Sequence, residues 1–367
     1  MNSSRGLMKY LDEFRNPGAV KGLTEKIGEL PGSFTFMEVC GTHTVAISRA
    51  GLRPLIAPSV NLISGPGCPV CVTADSDLDR AIAVAHMPGV ALATFGDMMK
   101  VPGSDGSLAD AAAKGAQVRV VYSPLEALDL ARDNKSKDVV FLGVGFETTA
   151  PTVAATLLRA RDENLTNFYV LSFHKLVPPA LRALMSLDDF KVDGFILPGH
   201  VSAIIGSKAY AFVAEEFGVP CVVTGFESAD ILQAVYRLMK MREEGPAVET
   251  EYSRAVHPEG NPKALAAMEQ VFEPVDAEWR GLFVIPQSGL ALREEFGYFD
   301  AGTWGVELPE PKRDKGCRCG EILCGRIRPT ECQFFAGACT PETPVGPCMV
   351  SSEGTCASYY LYCQEEE

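Results

Sequence analysis

The chain has 367 residues, 47% hydrophobic and 22% charged, with 34 glycines and 25 prolines; this is a length for two or three domains and a composition that excludes disorder, coiled coil and collagen. Thirty-three Lys and Arg against 47 Asp and Glu leave a net charge of −14, and no basic stripe stands out, which speaks against nucleic acid or a membrane surface as the main partner. The polar segment 1–17 lacks the apolar stretch of a secretory signal, and the run 81–96 holds His86 and Pro88-Gly89 and is too short to span a bilayer, so the chain reads as cytoplasmic.

In chain order, short apolar runs at 33–39, 60–64, 90–95, 118–122, 139–144, 168–172, 192–197 and 219–224 read as strands. Most do not alternate, as expected of strands buried on both faces, and helix-period segments fall between them. Ser123, Pro124 and Glu126 supply an N-cap, a first-turn proline and a capping carboxylate for a helix ending near Asn134. The pattern predicts βαβ units with parallel sheets. Gly145-Phe146-Glu147-Thr148 is echoed by Gly225-Phe226-Glu227-Ser228, each after a strand and before a helix, which suggests two similar halves. The charged stretch 243–259 reads as a connection, 282–285 offers one more strand, and 309–315 reads as a linker into the tail. The expected organisation is an α/β fold with two similar parallel-sheet domains, residues 1–122 and 123–242, followed by 243–367 as a connecting segment and a small Cys-rich domain.

Ligands of parallel α/β sheets bind outside the carboxyl ends of the strands, and the unusual loops lie there: 38–44, 65–71, 143–149 and 198–202. Cys68-Pro69-Val70-Cys71 is a C-x-x-C, open to a reversible dithiol, the favoured reading, to structural zinc, or to core packing. Cys40, beside Gly41 and three residues before His43, is a nucleophile, a soft-metal ligand or a packed thiol. Glu147 is an acidic group at a strand end or a solvated cap, while His174 and His200 are loop histidines. Cys221, inside an apolar run, is read as packing. Gly143-x-Gly145 lacks the third glycine of a dinucleotide fingerprint, Thr148 standing in its place, and no phosphate-binding G-x-x-x-x-G-K-[ST] is present.

Of the 12 cysteines, four fall before residue 317 and eight after 316: Cys317, Cys319, Cys324, Cys332, Cys339, Cys348, Cys356 and Cys363. In a chain read as cytoplasmic such density points to metal or cluster ligation over disulfides. Four thiolates suffice for a four-iron cluster, with zinc the competing metal.

Taken together, CGTHT at 40–44, GPGCPVC at 65–71, GFETTAP at 145–151, PGH at 198–200 and CTPETPVGPCMVSSEGTCASYY at 339–360 resemble the HypD family, maturation factors that help to build the iron-dicyanide-carbonyl unit of nickel-iron hydrogenases. The resemblance implies thioredoxin-like or Rossmann-like α/β domains and a domain holding a 4Fe-4S cluster. It implies that Cys40 holds the iron of the Fe(CN)2CO unit together with a cysteine of the small chaperone HypC, and that Cys68 and Cys71 are redox-active. His43 would tune the Cys40 thiolate, with Glu147 and His200 as further reactive candidates. Cys319, Cys332, Cys339 and Cys356 are the favoured cluster ligands and Cys348 their main competitor; Cys324 and Cys363 lie outside the matched motif, and Cys317 has no assigned role. The implied partners are HypC, HypE for cyanide delivery, and the hydrogenase large subunit precursor, reached through HypC. The alternative function is a cluster-dependent thiol-disulfide oxidoreductase.

Overall fold

The computed structural model describes residues 16–310 and 316–363; most of the expected linker, 311–315, lies outside the described residues. All eight expected strands form: β1 (Phe34–Glu38), β2 (Val60–Ser64), β3 (Val90–Thr94), β4 (Gln117–Val120), β5 (Asp138–Gly143), β6 (Phe168–Ser172), β7 (Gly194–Pro198) and β8 (Cys221–Thr224). Three more were not foreseen in full: β9 (Val248–Thr250), β10 (Phe272–Glu278) and β11 (Val284–Leu292). The short polar β9 lies in the stretch read as a connection, and β10 carries a proline and three acids, so neither shows an apolar run. Residues 282–285, read as a strand, straddle the turn into β11.

The strands form a five-stranded sheet in the order β2-β1-β7-β8-β9, a four-stranded sheet in the order β4-β3-β5-β6, and the β10-β11 hairpin. Every pair in the two larger sheets is parallel, the pairing that βαβ connections produce. The four-stranded sheet is therefore inserted between β2 and β7. A division at residue 122 falls inside that sheet, between β4 and β5, because strand partnership is set by long-range pairing that local periodicity does not encode.

One core lies on a face of each sheet: Phe36, Ile47, Leu62 and Val235 pack on the first, and Phe141, Leu157, Phe168 and Phe296 on the second. A third core runs between the sheets, through Met37, Leu197, Leu92 and Leu142, and continues into the tail through Cys319, Ile322 and Met349. The tail is thus seated on the same apolar interior as the carboxyl ends of β1 and β5.

Candidate functional site

Cys40 lies two residues beyond the end of β1 and is the N-cap of the Gly41–Arg49 helix. Its backbone N–H donates to Glu38 Oε2 at 3.1 Å, and Glu38 Oε1 accepts from the Thr44 hydroxyl at 2.6 Å. Glu38 is fully buried, and burial pushes its pKa up to about 7. Burial likewise pushes the Cys40 thiol up to about 12, opposed chiefly by the backbone N–H of His43.

The GPGCPVC loop is locked against this segment by backbone. Gly65 N–H donates to the Glu38 carbonyl at 2.7 Å and Gly41 N–H to the Gly67 carbonyl at 2.8 Å. A Cβ on Gly67 would lie 2.1 Å from the Cys40 nitrogen, so only glycine permits the approach. It delivers Cys68 as N-cap of the Pro69–Val72 helix, where its sulfur accepts the Cys71 N–H at 3.3 Å. The Cys71 thiol lies 2.6 Å from Cys68 Sγ, and burial, then Cys68, hold its pKa well above the ordinary value. Both are buried free thiols.

His43 does not reach Cys40 through its ring. Its Nε2 lies 2.8 Å from the Gly225 carbonyl, and its ring packs on Phe226 at 4.7 Å; burial lowers its pKa to about 4, leaving the imidazole neutral at pH 7. His200, exposed, packs on the same Phe226 ring at 4.1 Å. The echoed GFES loop thus gathers two of the predicted histidines. Glu147, in the first copy of the echo, is buried instead of solvated: its Oε1 accepts the Val177 N–H at 2.9 Å, at the start of the Val177–Met185 helix, and burial pushes its pKa up to about 7. Glu227, its counterpart, caps the Ser228–Glu244 helix. His174 is buried beside Ser172, burial lowering its pKa to about 3, and Cys221 is packed inside β8.

Six tail cysteines, Cys317, Cys319, Cys332, Cys339, Cys348 and Cys356, line one apolar cavity with Phe334, Phe335 and Val345. Cys319 is bonded to Cys348, so the cavity's free thiols are Cys317, Cys332, Cys339 and Cys356, three of which belong to the set favoured from the sequence. Val345 N–H donates to Cys339 Sγ at 3.3 Å. Cys324 and Cys363 lie outside the lining. Among the described residues no three His, Cys, Asp or Glu side chains converge on a single-ion site, whereas soft donors around an apolar space suit a multi-iron cluster.

Sequence reasoning missed Glu353. Its Oε1 accepts the Thr42 hydroxyl at 2.7 Å, and a Cβ on Gly41 would lie 2.7 Å from its carbonyl oxygen. It lines a pocket with Pro69, Val70, Phe95 and Thr148, and its charge raises the pKa of both Cys40 and Cys71. The tail therefore closes over the Cys40 loop, while its turn Pro347–Met349, carrying Cys348, packs against the Pro69–Val72 helix. The only local signal for Glu353 is its place in the matched tail motif.

A family model named HypD, described as "Hydrogenase formation hypA family", matches residues 18–363. The chain is 45% identical over 370 residues to the hydrogenase maturation factor HypD of Rhodobacter capsulatus, covering 97% of this chain and 98% of that protein. It is 44% identical to the HypD proteins of Escherichia coli, covering 98% and 99% of the two chains, and of Azotobacter vinelandii, covering 98% of each. No helix among the described residues is long and apolar enough to cross a membrane.

Proposed function

The chain belongs to the HypD family of hydrogenase maturation factors, and from that premise we propose that it is the redox-active scaffold on which, with HypC, the Fe(CN)2CO unit of a nickel-iron hydrogenase is assembled. The observation that carries this reading is the junction of Cys40 with Cys68 and Cys71, locked by Gly67 and covered by the cysteine-lined tail. Cys40 offers the incoming iron one soft ligand, and HypC supplies a second. The backbone N–H groups of His43 and Thr42, which oppose the rise in its pKa, favour the thiolate that such an iron requires. His43 acts on that thiolate through its main chain, its ring fastening the loop to Gly225.

Cys68 and Cys71 supply electrons by passing from dithiol to disulfide, releasing two protons and two electrons. Cys317, Cys332, Cys339 and Cys356 fit a four-iron, four-sulfur cluster, which when bound exchanges single electrons. Cys319 and Cys348 line the same cavity, and the turn carrying Cys348 packs against the Pro69–Val72 helix, so this second pair is placed to hand electrons on. Glu147 and His200 are further candidates for proton exchange, Glu147 with its pKa pushed up to about 7 by burial. Cyanide comes from HypE, and the finished unit leaves with HypC for the large subunit precursor. The adjacent thiols would equally serve a stand-alone thiol-disulfide oxidoreductase. Infrared spectroscopy of the protein purified with HypC separates the two: cyanide and carbonyl stretching bands are expected, and their absence from an iron-replete complex would leave only the oxidoreductase.

A further inference from the structure

Between β10 and β11 the chain turns through Trp279, Arg280 and Gly281, and this tip touches three of the loops described above. Trp279 is buried, bridges Thr73 just after the C-x-x-C helix and stacks on Phe146 at 6.0 Å. Arg280 N–H donates to the carbonyl of Val72, the last residue of that helix, at 2.9 Å. Gly281, at φ +71°, presses on Gly320 beside Cys319, where a Cβ on Gly320 would lie 1.8 Å from the Gly281 carbonyl oxygen. The tip is wedged between the dithiol helix and the wall of the cysteine cavity.

Its charged side chain is held inside. The Arg280 side chain is 14% exposed; Nη2 pairs with Asp75 and donates to the Pro102 carbonyl at 2.7 Å. Nη1 is buried with no hydrogen-bond partner among the described residues. A guanidinium in this position is costly unless negative charge lies near it, and Asp75 is half exposed. The carboxylates that act on it are Asp75 and Asp79, and the sulfurs of Cys317 and Cys71 lie within reach of its field. Arg318 is more exposed and paired with Glu321.

We infer that Arg280 is a positioning residue for the tail sulfur site: a fixed buried positive charge, clamped by the hairpin tip, that favours the state of that site carrying one more negative charge. The inference rests on the cavity holding a four-iron cluster. One electron taken from dithionite then adds one negative charge, and no bond or proton needs to move.

The test is a mediated redox titration of the full-length, iron-loaded protein, read by the electron paramagnetic resonance of the reduced cluster. In Arg280→Gln the ratio of reduced to oxidised cluster at a fixed potential falls about tenfold, or about 59 mV in midpoint. Arg280→Lys stays within about twofold of the wild type. Asp75→Asn, which unmasks the guanidinium, shifts the ratio severalfold the other way. Equal midpoints in wild type and Arg280→Gln, or shifts of the same sign in Arg280→Gln and Asp75→Asn, overturn the inference. If Arg280→Gln does not fold, the sign for Asp75→Asn decides: a rise supports the charge account, and no change or a fall overturns it. A wild-type protein that takes up no iron and sulfide fails the cluster reading itself, a separate outcome.

Discussion

The two sulfur-rich regions are built by opposite means. At the front, Cys40, Cys68 and Cys71 sit beyond the ends of paired parallel strands, and the loops carrying them are joined by main-chain hydrogen bonds and glycine contacts that involve no cysteine sulfur. In the tail, residues 316–363, two short helices and three-residue turns are the regular structure, with an isolated bridge between Phe335 and Cys339 in place of a strand. There the sulfurs themselves form the wall of the interior. The front is therefore a scaffold that presents thiols, whereas the tail is a fold whose interior wall is made of its own sulfurs.

The largest effect expected from this contrast is on the metal. Cys339→Ser with Cys356→Ser should remove nearly all cluster iron and sulfide and open the tail to protease, while Cys68→Ser with Cys71→Ser should keep both intact. Metal analysis beside limited proteolysis reads the difference, and a tail that stays resistant without iron would break the comparison.

Gly67→Ala probes the front in the same spirit. The added Cβ meets the Cys40 nitrogen at 2.1 Å, so the loops must part, and urea unfolding should show a loss of about 3 kcal/mol. A loss below about 1 kcal/mol would show that the loops are not held by their main chains.

A third expectation concerns pH. Glu147 has a folded pKa near 7 against an ordinary value of 4.5, so the folded state binds its proton more tightly. Its contribution to stability is complete below about pH 4 and is lost as pH rises through 7, roughly 3 kcal/mol in all. Glu147→Gln should flatten that part of the profile, gaining on the wild type at pH 8; unfolding curves at pH 5 and 8 check it. An unchanged slope would mean that the buried carboxyl is not the titrating group.

The smallest effect tests the seam between the regions. Thr42→Val removes the hydrogen bond to Glu353 at a cost of about 1 kcal/mol, and hydrogen exchange should quicken in 353–358 with the strands unaffected. Equal exchange would place the hold of the tail on the Cys40 loop elsewhere.

Much of this was visible in the sequence. The eight apolar runs became strands because parallel strands buried on both faces need them, and the Ser123 side chain does accept the Glu126 N–H, at 3.3 Å. The insertion of one sheet within the other was not visible, because nothing in β7 says that it pairs with β1. The GFET and GFES echo shows the same limit: like segments follow like strands, yet Glu147 is buried and Glu227 is a helix cap, a difference made by neighbours distant in sequence. The cysteine motifs lie on loops that the main chain joins, Gly41 to Gly67 and Gly65 to Glu38, whereas which tail thiols are free in the cavity depends on how irregular turns fold. Glu353 and Arg280 were missed for that reason too: each acts on groups more than 200 positions away.

The central claim is that Cys40 holds the iron while the tail cluster stands apart. Its most direct test is the infrared spectrum of Cys40→Ser purified with HypC, taken beside cluster analysis of the same sample. The account predicts that the cyanide and carbonyl bands vanish while tail iron and sulfide remain at the wild-type level; a Cys40→Ser protein that keeps the full set of bands would contradict it and move the iron to Cys68 or Cys71.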